Sequence, residues 1–303
     1  MGARSNLLRP MSIGDILDGA ISLYRSNFLL LVGIAACVYV PFYILALLIN
    51  PWVQTFLKLV IPVFVAAVVT VAISERILGR QASIASSYRR AGNRLGPFIG
   101  ALLLMVLIMI PVGIVMLISV GIFTGIATFL SSMLGIPAVG MFAGIIIGLI
   151  MVAWIGISVL AFMVWLLFVP QAVLLEGTGA TRSIGRSIEL IKGSFWKTLG
   201  VLVLVYIAIL LVGTIVGLVG GVIAAVLSGG IDSAGGFVSS MRKFQEIPIA
   251  SGVTDLFLEP FRMIVITLLY YDIRVRKEAY DTELMAEELA IEVDSSDERD
   301  TSL

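Results

Sequence analysis

The chain has 303 residues, 59% hydrophobic and only 13% charged, with a formal net charge of zero and no histidine. That balance is too apolar for a soluble domain of this length, and it offers no basic surface for nucleic acid. Cys37, the single cysteine, lies inside an apolar run, so disulfides are excluded and neither a thiolate metal site nor any other cofactor is expected.

In chain order, the first predicted element is an amphipathic helix. Leu17, Ile21, Tyr24 and Phe28 recur at i, i+4, i+7 and i+11, which is one helical face. Ser12 followed by Asp15 gives it a capping-box start. Apolar runs at 28–49 and 56–74 follow. A bilayer core of about 30 Å takes roughly 20 such residues, so each run is a membrane span. The residues before Phe28 carry Asp15 and Asp18 and no small-residue cleavage site follows the first run, which is therefore read as a retained span. Ile84, Tyr88, Ala91 and Leu95 then repeat the amphipathic spacing ahead of long runs at 98–130 and 138–169. Both runs exceed one crossing, and tilt, a kink at Pro111 or projection beyond the surface would absorb the excess. Ile184, Ile188, Ile191 and Phe195 give the spacing a third time, before runs at 195–227 and 256–271.

The expected fold is all-α: a six-transmembrane helical bundle over residues 1–277, followed by an acidic tail at 278–303 with a disordered end. Its three repeats each pair an interfacial amphipathic helix with a two-span hairpin. AISLYRSNF at 20–28 aligns with SIELIKGSF at 187–195, and Gly33 falls opposite Gly200, whereas the second copy matches in spacing more than in identity. The neutral total hides a split. Residues 1–271 carry sixteen Lys/Arg against nine Asp/Glu, and residues 272–303 four against eleven, so the membrane body is +7 and the tail −7.

Basic residues gather in alternate gaps: Arg4, Arg9 and Arg25; Arg76 to Arg94; Arg182, Arg186, Lys192 and Lys197; Arg274, Arg276, Lys277 and Arg299. The positive-inside rule places those gaps and both termini in the cytoplasm of a multi-pass cell-membrane protein.

The opening LRPMSIGDILDGAISLYRSNF, the central EGTGATRSIGRSIELIKGSFWKTLG and the closing YYDIRVRKEAYD resemble an uncharacterised prokaryotic membrane family, similar to the membrane domain of glycerophosphoryl diester phosphodiesterase. The resemblance covers about Leu8 to Asp281 and implies a six-helix membrane module, sometimes joined to a soluble phosphodiesterase domain. Those phosphodiesterases rely on paired histidines, so this chain carries no catalytic residues over from them.

Three sets of candidate site residues stand out. Glu259 and Arg262, i and i+3 around Pro260, form a candidate intramembrane ion pair, either functional or snorkelling to the headgroups. Arg182, Arg186 and Lys192 are candidate lipid-headgroup contacts. Gly140, Gly144 and Gly148, with Gly213, Gly217 and Gly221, are spaced for close helix packing. The sequence therefore points to a non-enzymatic module that organises membrane lipids or a partner membrane or cytoplasmic protein. A transporter or permease for a small solute or lipid is the alternative.

Overall fold

The computed structural model describes residues 11–134, 137–227, 235–236, 238–239 and 248–278, all helix or short connection with no strand among them. The predicted charges at Arg4, Arg9, Arg242 and Lys243 and the acidic tail beyond 278 lie outside the described residues. The helices are α1 (Ile13–Ser26), α2 (Phe28–Ala46), α3 (Pro51–Ile77), α4 (Ile84–Gly92), α5 (Leu95–Leu134), α6 (Pro137–Trp165), the short α7 (Val169–Gln171), a π-helical turn (Ala172–Glu176), α8 (Ala180–Ile191), α9 (Phe195–Leu227) and α10 (Pro248–Glu278). They fall into two compact units, one joining the chain up to Arg94 with the chain from Trp196 on, the other Leu95–Phe195.

Local chemistry sets the helix starts. The Ser12 side chain accepts from the Asp15 backbone N–H and the Asp15 carboxylate accepts from that of Ser12, the expected capping box. Ser83 and Ser86 reproduce it for α4. Asn50 caps the Trp52 N–H of α3, with Pro51 at the first helical position, where its missing donor costs nothing. The π turn ends at Gly177, whose φ of 72° is left-handed and suits glycine.

Among the described residues, five helical segments are long and apolar enough to cross a bilayer: Phe28–Ala46, Trp52–Ile77, Leu95–Met133, Gly144–Glu176 and Phe195–Leu227. This is a helical membrane protein. The α5 helix continues through Pro111. The sixth predicted span lies in α10, a 31-residue helix whose apolar run is broken by Asp255, Glu259, Arg262 and Asp272. In the first unit, α10 packs against α1, α2 and α3, and every residue from Met263 to Ile273 is buried. The enclosed stretch holds Asp272 away from lipid, whereas Glu259 and Arg262 lie just before it and neutralise each other as an ion pair.

The short helices pack by faces that overlap the predicted stripe only in part, at Ala91 and Ile191. Ile16 and Ala20 of α1, Ser87 and Ala91 of α4, and Ser183, Ser187, Leu190 and Ile191 of α8 are buried. Much of the stripe is open instead: Ile21 is 47% exposed, Phe28 39%, Ile84 36% and Ile188 41%. Small residues at 20, 87 and 187 let each helix lie close against its neighbours.

The two glycine series part company. Gly213 and Gly217 are half-buried, Gly221 is fully buried, and a Cβ on Gly213 would meet Thr254 at 3.9 Å, so this is the inner face of α9. Gly144 and Gly148 are exposed, and a Cβ at either would meet nothing within 4 Å among the described residues. Spacing puts both glycines on one face, and among the described residues no neighbour lies against that face of α6 at Gly144 or Gly148. Gly140 lies in α6, and its surroundings fall outside the described residues.

Three other glycines do receive a helix. A Cβ on Gly33 would lie 3.0 Å from Ile84, the first residue of α4. One on Gly100 would lie 3.6 Å from Ala180, the first of α8, and one on Gly200 3.7 Å from Ile13, the first of α1.

Candidate functional site

The buried charges follow one plan at the helix ends. In the first unit, Glu75 near the end of α3 forms an ion pair with Arg90 of α4, and Arg76 donates to the Ala82 carbonyl at 3.1 Å. On the same helix Tyr88 donates to the Ile34 carbonyl of α2 at 2.7 Å, and burial, followed by Cys37 nearby, pushes its phenol up to about 12. In the second unit, Glu176 closes the π turn and takes a two-pronged bond from Arg186 of α8, Nε to Oε2 at 2.9 Å and Nη2 to Oε1 at 3.1 Å. Ser187 completes that junction, donating to the Trp165 carbonyl at 2.8 Å and accepting the Phe168 N–H at 3.1 Å.

Asp272 of α10 is the most enclosed of these carboxylates, with no exposed surface. It accepts the Met11 backbone N–H at 2.6 Å, Lys197 of α9 at 2.5 Å, and Arg276 one turn on at 3.1 Å. Lys197 and Arg276 also donate to the Met11 carbonyl, at 2.7 and 2.8 Å. Two cations and one carboxylate thereby pin the segment that starts α1. Buried charges are stable only when paired and bonded in this way.

A second polar cluster lies elsewhere in the first unit. Glu259, 9% exposed, binds Arg262 through both oxygens at 2.9 and 2.5 Å, and Arg262 also donates to the Tyr206 hydroxyl of α9 at 3.2 Å. One turn before Glu259, Asp255 accepts the Tyr43 hydroxyl of α2 at 2.5 Å. Tyr39, whose ring stacks 6.0 Å from that of Tyr43, is 2% exposed, and its hydroxyl has no hydrogen-bond partner. It lies within the electrostatic reach of Glu259, Asp255 and Arg262.

The predicted Glu259–Arg262 pair is thus formed. Of the predicted headgroup contacts, Arg182 and Lys192 are exposed, but Arg186 is committed to Glu176. Asp272, Asp255 and Tyr39 were not singled out from sequence. Only Asp272, a carboxylate next to three basic residues at a span end, carried a local signal. Among the described residues no group of three or more Asp, Glu or Cys is placed to hold a metal ion.

Spanning helices, short helices capped onto them and internally paired charges define a polytopic α-helical membrane domain. Residues 11–269 match the family model described as Domain of unknown function (DUF7847), and the chain belongs to that family. No curated protein and no solved structure matches the chain. The family match brings no activity with it, and the phosphodiesterase-associated resemblance stays an expectation of the sequence.

Proposed function

We propose that this protein is a non-enzymatic, six-span module of the cell membrane, with both termini cytoplasmic, that organises lipid at its cytoplasmic face through three interfacial helices. The observation that carries the reading is the divided surface of those helices. Small residues pack inward, while apolar side chains at Ile21 and Ile188 stay open on helices that, with α4, expose Arg25, Arg89, Arg182 and Lys192. That is the surface of a helix lying at the headgroup boundary, with apolar groups for the acyl region and cations for anionic lipid.

Two cyclic patterns support the threefold repeat. The glycine of each first span (Gly33, Gly100, Gly200) meets the first residue of the next copy's short helix, the third meeting the first. The carboxylate at the end of each second span (Glu75, Glu176, Asp272) likewise holds the next copy's short helix or its starting segment. The burial of Met263–Ile273 and the pairing of Glu259 with Arg262 are compatible with α10 as the proposed sixth span.

Each cation at an anionic surface is worth about 1 kcal/mol, so reversing Arg182 and Lys192 together is expected to cut retention of anionic lipid on the order of 30-fold or more. Native mass spectrometry of the detergent-extracted protein measures this. Unchanged retention of anionic lipid in R182E/K192E would sink the proposal. A transporter or permease for a small solute or lipid is the second reading, favoured by the buried, unpartnered Tyr39 hydroxyl beside Glu259 and Arg262.

A further inference from the structure

We infer that Tyr39, Tyr43, Asp255 and the Glu259–Arg262 pair form a binding site for a monovalent cation, independent of the lipid-facing helices. The charges come first. Asp255 and Glu259 stand one turn apart on α10, where like charges repel. Arg262 neutralises only one of them, because it engages both oxygens of Glu259. Asp255 has a hydroxyl for a partner, Tyr43, and no basic residue among the described residues. Among the described residues, the cluster therefore carries one uncompensated negative charge.

The second observation is independent of charge. A buried hydroxyl without a hydrogen bond is costly and calls for an unseen partner. Tyr39 supplies such a hydroxyl one helical turn from Tyr43, whose ring stacks on it and whose own hydroxyl holds Asp255. An anion would confront two carboxylates, and a water molecule alone would leave the charge unbalanced. A cation answers both deficits, taking oxygen from Asp255 and Tyr39. The donors are all hard oxygens and only Asp255 brings an unneutralised charge, which suits a monovalent rather than a divalent ion. An organic ammonium group fits the same chemistry and would gain from the Tyr39 and Tyr43 ring faces. Entry is through Asp255, which is partly exposed, about 26 Å along α10 from Asp272 at 1.5 Å per residue.

The test uses the full chain in lipid nanodiscs and follows its thermal unfolding midpoint at fixed ionic strength. Sodium, potassium or methylammonium chloride replaces the chloride of N-methylglucamine, a cation too bulky for the site. A ligand that binds the folded state alone raises the midpoint in a saturable way. Saturation by sodium or potassium identifies an alkali-ion site, and saturation by methylammonium alone an ammonium site. Either way D255N and Y39F are expected to raise the half-saturating concentration at least about tenfold, the loss of one good contact. D15N, in the remote α1 cap, is expected to keep the wild-type response. A midpoint indifferent to cation identity in the wild-type protein, or a D255N variant with an unaltered response, overturns the inference. The wild-type titration decides the matter even if a variant fails to fold.

Discussion

Asp272→Asn is expected to lower stability by about 3–5 kcal/mol, the usual effect of removing one member of a buried ion pair. The substitution keeps the size and one acceptor of the side chain but removes the charge that Lys197 and Arg276 share. Lys197 would be left beside the Met11 carbonyl with no counter-charge from Asp272, its side chain only 22% exposed to solvent. The start of α1 would loosen with it, because Met11 N–H donates to the same carboxylate. Unfolding in a graded denaturing detergent measures the loss, and faster proteolysis near Met11 would report the loosening. The double variant D272N/K197M is expected to recover part of the stability, since it also removes the stranded cation. If D272N unfolds like the wild type, Asp272 is not the tie that the geometry describes. Glu75 should be the weakest of the three carboxylate positions, because its partner Arg90 is 55% exposed and solvent screens the pair.

The parts of this architecture that were legible in the sequence are those with a local cause. Apolar length revealed five of the six predicted spans among the described residues, and the predicted 195–227 coincides with α9. The Ser12–Asp15 cap and the Glu259–Arg262 pair span three residues each, so spacing alone could reveal them. What was not legible depends on the partner. The apolar stripe at i, i+4, i+7 and i+11 is real, but only part of it packs: Ala91 and Ile191 are buried, while Ile21 and Ile188 are open. The packed column holds Ala20, Ser87 and Ser187, which score as neutral or polar and leave no hydrophobic trace. Asp272 meets Met11 across 261 residues and Tyr43 meets Asp255 across 212, distances over which no sequence period speaks. The glycines illustrate the same limit. Spacing of four placed Gly144 and Gly148 on one face, but only the fold decides whether a helix lies against it.

Gly252→Ala turns that limit into a prediction of sign. Within a helix, Gly→Ala ordinarily stabilises by about 0.5–1 kcal/mol through backbone entropy. At Gly144 or Gly148, where a Cβ meets nothing within 4 Å among the described residues, that gain is expected. At Gly252 the new Cβ would lie 2.5, 2.6 and 3.0 Å from three ring atoms of Tyr43. A ring cannot yield as the tip of an aliphatic side chain would, so α10 and α2 must separate or Tyr43 must leave its rotamer. Overpacking of this kind costs about 1–3 kcal/mol. The sign of the change in unfolding midpoint therefore separates the two sites. Moving Tyr43 also takes its hydroxyl from Asp255, so G252A should weaken the cation response along with stability. Truncating the ring in G252A/Y43A is expected to restore part of the lost stability, although Y43A alone is destabilising. Such a reversal belongs to residues in direct contact and is absent when two substitutions act independently. If Y43A only adds to the damage, Gly252 serves the backbone rather than the tyrosine, and the close approach of α2 to α10 is not what sets the geometry around Asp255.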